Sequence, residues 1–200
     1  SLLVVGEPRS GKTSFVTLLA MRAQANGWTL FEAGGAHLQA GQTYIGQLEE
    51  RLRRLPIELA ADKRVLWHAP DFLHLATSGM HQGQSASMLD QVLPAITTGR
   101  LVLLSEITPA ALTKVMQQRP AVRTTLELLR LRPMTDTETS RLVRDVASRL
   151  PRHIDVAVHP EALETVTYLA RHYLSSGQMP GAVLDLLKLS VQRAIAQDTA

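Results

Sequence analysis

Gly6-Glu7-Pro8-Arg9-Ser10-Gly11-Lys12-Thr13, followed by Ser14, fits the pattern G-x-x-x-x-G-K-[ST] at every position. That pattern is chemically specific. Its glycines let backbone N–H groups close around a phosphate, and the helix that follows adds the positive end of its dipole. A lysine at the seventh position reaches the β- and γ-phosphate oxygens, and the hydroxyl after it takes one position on Mg²⁺. Residues 6–14 are therefore expected to bind ATP with Mg²⁺. A Gly-rich turn that merely caps a helix is the plainer alternative, but it does not need the lysine.

A phosphate loop of this kind needs a buried strand before it and a helix after it. Leu2–Val5 is a short apolar run ending at Gly6, which reads as a buried parallel strand. Thr13–Gln24 has helical spacing and stops near Asn26-Gly27, a suitable helix C-terminus. Further strands are expected at Trp28–Phe31, Arg64–Ala69, Leu101–Leu104 and Thr125–Leu131. Helices are expected at Gln47–Leu55, where Pro56 ends the run, and at Ser87–Thr97 and Pro109–Gln117. Residues 33–44 and 79–86 read as loops. Strands alternating with helices in this way predict a parallel sheet covered on both faces.

After Pro133 the alternation stops. Thr137–Leu150, Pro160–Leu174 and Gly181–Ala196 read as three helices without a strand between them. Residues 1–133 are expected to form an α/β nucleotide-binding core with a five-stranded, mostly parallel sheet. Residues 134–200 are expected to form a small α-helical lid.

Composition narrows the function classes. Of 200 residues, 45% are hydrophobic and 20% charged, enough apolar material for a packed core. A net charge of +3 without any block of like charges gives no reason to expect a nucleic-acid or membrane partner. Arg141, Arg144, Arg149 and Arg152 read as the solvated face of a helix, with Asp145 among them. Cysteine is absent, which excludes disulfides, thiolate metal sites and a cysteine nucleophile, and fits a cytoplasmic setting. The seven histidines show no H-E-x-x-H spacing, and no G-x-S-x-G elbow is present. No apolar run reaches membrane-spanning length. The chain opens on Ser1-Leu2 without an initiator Met and reads as a piece of a longer protein.

Beyond the phosphate loop, the order of segments resembles an AAA+ ATPase, and within that class the first nucleotide-binding domain of the Clp chaperone–unfoldases. Residues 38–52, with Tyr44, Gly46, Glu49, Arg51 and Leu52, are close to the family's pore-loop segment, where a Tyr-x-Gly precedes an E-x-R-L helix. Met88–Leu101, with Pro94 and Gly99, resembles the helix and turn leading into its sensor-1 strand. Residues 179–186 resemble the L-P-D-K-A-I-D-L stretch of its small domain. The likeness implies sheet order 5-1-4-3-2 and self-association into a ring, usually a hexamer, with ATP between protomers. It also implies that Tyr44 lines the ring channel and grips polypeptide substrate. A Tyr packed at a helix start is the plainer reading of the same residue.

The departures from the family pattern bear on catalysis. A Clp core ends its third strand in Asp-Glu, the Asp supporting Mg²⁺ and the Glu activating water. Counting back from Pro94 puts Asp71 at the first position and Phe72 at the second, with His74 where the family often has His. The other register puts Ala69-Pro70 there and loses both acids. In either register the catalytic Glu is missing. Thr108 takes the sensor-1 place, and it is equally suited to capping the helix that opens at Pro109. The family's arginine fingers fall at Thr124-Thr125. Arg119 and Arg123 are near enough in sequence to substitute, although a solvated face suits them as well. The resemblance therefore implies an ATP-binding module of a Clp-like protein-remodelling ATPase with weak hydrolysis. The alternatives are a hydrolysis-defective module that stabilises a ring, and a DNA-processing or signalling AAA+ ATPase.

Overall fold

The computed structural model describes residues 1–41, 45–62, 64–79, 86–149, 157–174 and 179–198. The chain divides into two compact units. One comprises Ser1–Gly6 with Lys12–Leu131, the other Glu7–Gly11 with Arg132–Ala200.

The first unit is built on five strands, β1 (Leu2–Val5), β2 (Thr29–Glu32), β3 (Val65–Ala69), β4 (Val102–Ile107) and β5 (Glu127–Arg130). All pair in parallel in the order β2-β3-β4-β1-β5, the order the resemblance implied. Helix α1 (Lys12–Ala25) covers one face, where Val16 and Ala20 meet Val4, Leu66 and Leu104. The opposite face is covered by α2 (Gly35–Gln39), α3 (Ile45–Ala60), α4 (Phe72–Thr77), α5 (Met88–Thr97), α6 (Pro109–Gln118) and α7 (Val122–Thr125). The alternation along β4 shows how the two faces are sorted. Leu104 packs on the α1 side, whereas Leu103 and Ile107 join the larger core with Trp67 and Phe72.

Several local expectations are corrected here. The stretch read as a loop over 33–44 carries α2, whose Leu38 is buried in the core. Pro56 does not end α3, which runs on to Ala60. An interior proline costs about 3 kcal/mol, but Leu48, Leu52 and Leu55 are all buried along this helix. Past the proline, Leu59 packs against the same core and the last turn stays helical. Val122–Thr125 is a helical turn, so the fifth strand begins at Glu127.

Arg119 is corrected as well. Its side chain is only 10% exposed, and its Nε donates to both Asp90 oxygens at 3.0 Å. Asp90 also closes the N-terminal capping box of α5, accepting from the Ser87 N–H at 2.7 Å and the Ser87 hydroxyl at 2.8 Å. One ion pair thereby ties the end of α6 to the start of α5.

In the second unit, α8 (Asp136–Ser148), α9 (Pro160–Tyr173) and α10 (Gly181–Asp198) enclose Val143, Leu163, Val166, Ala170, Val183 and Leu187. Thr135 and Glu138 form the capping box of α8, and Arg132 donates to both Glu138 oxygens. These donors bring the Glu138 carboxyl down to about 2. Such a depressed carboxylate supports the helix start above its ordinary range, and that support is lost as pH falls toward 2.

Arg119→Met should lower stability by about 1.5–3 kcal/mol, the range for hydrogen bonds to charged groups. Burial pushes the Asp90 carboxyl up, but hydrogen bonds from Arg119 and Ser87 outweigh it and hold the group below its ordinary value. A depressed carboxylate contributes stability above about pH 4 and loses it as pH falls further. The deficit of the variant, read from urea midpoints, should be full at pH 7 and shrink below pH 4.

Candidate functional site

The site grows from the end of β1. Val5 pairs with Ile107, and the next N–H, that of Gly6, donates to the Ile107 carbonyl at 3.2 Å. The loop then turns on itself, with the Ser10 N–H donating to the Glu7 carbonyl at 3.2 Å. Arg9 and Gly11 both adopt positive φ, +64° and +90°. Left-handed torsions close together turn successive N–H groups to the inside of the loop, the geometry of an anion nest. Lys12 opens α1, and Thr13 and Ser14 stand exposed in its first turn. The sequence pattern thus falls on a tight loop with two left-handed residues.

Within the second unit, Arg9 pairs with Asp185, and its carbonyl accepts from the Gly181 N–H at 3.1 Å. A Cβ on Gly181 would stand 2.6 Å from the Arg9 Cβ and 2.9 Å from the Arg9 carbonyl oxygen. Only glycine lets α10 begin there.

Asp71 and Thr108 follow the C-terminal ends of β3 and β4, the edge at which open parallel sheets bind ligands. Each caps a helix. The Asp71 carboxylate accepts from the His74 N–H at 3.0 Å and starts α4, a helix not expected from the sequence. Strand β3 has already ended at Ala69, so Asp71 is not a strand residue. Phe72 is fully buried in the core, as are Leu75 and Ala76. The Thr108 hydroxyl accepts from the Ala111 N–H at 3.3 Å. Thr124 and Thr125 lie in α7, where the Thr125 hydroxyl meets that of Thr97 at 3.1 Å, and Arg123 is exposed. Tyr44 lies outside the described residues.

One acid beside Thr13 went unread in the sequence. Glu106, at the register of Val4, stands on the α1-facing side of β4, and the Thr13 hydroxyl donates to its Oε1 at 2.8 Å. Counting by two from Leu104 along β4 is the signal that could have found it. Its neighbour Ser105 points the other way and donates to the Ala69 carbonyl, joining the ends of β4 and β3. Among the described residues, no group of three or more His, Asp or Glu side chains could hold a metal. A cation here would share its coordination with phosphate oxygens. No helix among them is long and apolar enough to cross a membrane.

No family model matches the chain. The chaperone protein ClpB 2 of Parasynechococcus marenigrum is 28% identical over 193 residues, covering 92% of this chain and 21% of the relative. Heat shock protein 104 of Schizosaccharomyces pombe is 26% identical over 195 residues, with the same shares. The chain thus spans about a fifth of the length of these curated relatives. Among solved structures, a closed-state reconstruction of Hsp104 with ATPγS and FITC casein matches with a TM-score of 0.84. Its identity is 24%, over 99% of this chain and 35% of that one. The S. cerevisiae Hsp104–ADP complex gives 0.84 at 22% identity, over 100% and 35%. At such identities the structural likeness speaks for the fold, while the likeness to the curated relatives reaches the sequence itself. In sequence and in fold alike, this chain resembles the AAA+ P-loop modules of the Clp family, the family of the ClpB and Hsp104 chaperones.

Proposed function

We propose that the chain is the ATP-binding module of a Clp-like protein-remodelling ATPase, acting in a ring of identical copies and hydrolysing ATP slowly. The observation that carries the reading is the loop between β1 and α1, with its two left-handed residues followed directly by Lys12 and Thr13. Gly6, Gly11 and the intervening backbone enclose the β-phosphate, Lys12 neutralises the β- and γ-oxygens, and Thr13 takes a position on Mg²⁺. Thr108, one residue past β4, contacts the γ-phosphate, and Asp71 contributes from the end of β3. The similarity to ClpB and Hsp104 supports a remodelling role on polypeptide, with Tyr44 as the gripping residue. An aromatic side chain suits that task because its face contacts any sequence. The ring, the hexameric count and a cytoplasmic setting belong to the same reading.

Lys12→Ala removes the cation set against the β/γ-phosphates. Affinity for a fluorescent ATP analogue should fall at least tenfold, roughly 1.4 kcal/mol. Equal affinity in the two proteins would remove the phosphate-site reading.

Slow turnover follows from two deficits. Phe72, at the place of the family's general base, is an apolar side chain sealed in the core. Thr124 and Thr125 cannot neutralise transition-state charge as arginines would. A base contributes about 10²–10⁴ in rate and a finger about 10³–10⁵, and the two losses overlap because they act on one transition state. Steady-state phosphate release should stay below about 1 s⁻¹, the lower end for complete phosphoryl-transfer sites. A faster rate would mean that another base or finger serves the site.

Tyr44→Ala separates gripping from packing. In the assembled full-length protein it should abolish substrate unfolding while leaving ATP affinity and melting temperature unchanged. Loss of about 1–3 kcal/mol of stability with unchanged processing per folded molecule would sink the gripping role.

A further inference from the structure

The Thr13–Glu106 pair has more in it than a hydrogen bond. A threonine hydroxyl offers one proton and two acceptor lone pairs. Its proton is directed to Glu106 Oε1 at 2.8 Å, which leaves the lone pairs for a cation. The second carboxylate oxygen, Glu106 Oε2, is sealed from solvent and has no hydrogen-bond partner among the described residues. A carboxylate is an acceptor only, and a buried oxygen of this kind without a donor or a cation is costly. Phosphates arriving at the neighbouring loop would add more negative charge beside it. A divalent cation between them would satisfy both sides.

Mg²⁺ is commonly held in this way, by one or two carboxylates together with phosphate oxygens and water. The position of Glu106 in the sheet favours it for the task. Strand β4 lies directly beside β1, whereas β3 is one strand further from it, about 4.8 Å more. Asp71, beyond the end of β3, already accepts from the His74 N–H.

Resting on the nucleotide-binding reading above, we infer that Glu106 is the acid that holds the nucleotide's Mg²⁺, acting from β4 as a pair with Thr13. Two consequences follow. With Mg²⁺ present, Glu106 strengthens nucleotide binding through the shared cation. Without Mg²⁺, its charge opposes the phosphates. The residue thereby makes the site selective for the metal complex over free nucleotide.

The test compares wild type with Glu106→Gln, which keeps the shape and an oxygen for the Thr13 hydroxyl but removes the charge. Affinity for a fluorescent, non-hydrolysable ATP analogue is measured in Mg²⁺ and in EDTA. Wild type should bind at least tenfold more tightly with Mg²⁺. In the variant that ratio should fall at least tenfold, with metal-free affinity equal or higher. Such a coupling lies within the usual 5–150-fold range for linked ligands. Mn²⁺ bound in the analogue complex, followed by electron paramagnetic resonance, should be weakened in parallel. If Glu106→Gln fails to fold by circular dichroism, Glu106→Ala removes the same charge and carries the comparison. Tight nucleotide binding with an unchanged Mg²⁺ ratio would overturn the role of Glu106 alone. No nucleotide binding by wild type in either condition would overturn the nucleotide reading and this inference with it.

Discussion

The pairing of β1 with β4 is the constraint on which the site depends. It places Val4 opposite Glu106 and Val5 opposite Ile107, and the Gly6 N–H then continues the ladder to the Ile107 carbonyl. The phosphate loop departs from a fixed point for that reason. Side chains alternate along a strand, so a slip of one residue would turn every side chain of β4 to the other face. Glu106 would leave Thr13 and enter the apolar core, and Ile107 would face α1. Burying the Glu106 carboxylate among apolar side chains penalises such a slip strongly.

Polar groups inside the sheet follow from the same register. Ser105 donates to the Ala69 carbonyl, and the Trp67 indole donates to the Ala33 carbonyl at 2.8 Å. These bonds close the C-terminal ends of the strands, where the connecting loops begin. Among the described residues, the buried side-chain atoms without a hydrogen-bond partner are Ser10 Oγ, Glu106 Oε2 and Thr139 Oγ1. Ser10 belongs to the phosphate loop and Glu106 bonds its threonine. Every other buried polar side-chain atom among the described residues has a partner.

The helix ends show a division of labour among charged residues. Asp90 closes the start of α5 and receives Arg119 from the end of α6, while Glu138 closes the start of α8 and receives Arg132. Both carboxylates accept from backbone and side-chain donors together, and both are held below the ordinary carboxylate range as a result. The first is half-shielded and ties two helices of one core. The second is solvated and serves mainly to set where α8 begins.

Much of the fold was legible in the sequence. The phosphate loop, the strands at Leu2–Val5 and Val65–Ala69, and the three C-terminal helices all announce themselves through short-range pattern, because periodicity and glycine placement act over a few residues. Tertiary packing decided the rest. Propensity says that α3 should stop at Pro56, but Leu59 packs against the core beyond it and the helix runs on to Ala60. A Gly-rich stretch becomes α2 because Leu38 finds the core, and Asp71 becomes a helix cap because Phe72, Leu75 and Ala76 fill the space beside it. Arg119 leaves solvent because Asp90, 29 residues earlier, lies within reach. Glu106 is the most telling case. Its type and its place in a strand are plain in the sequence, but its nearness to Thr13 is a matter of register between β1 and β4. Strand pairing across about a hundred residues is written in no local pattern, and only the packed sheet brings that acid to the phosphate loop.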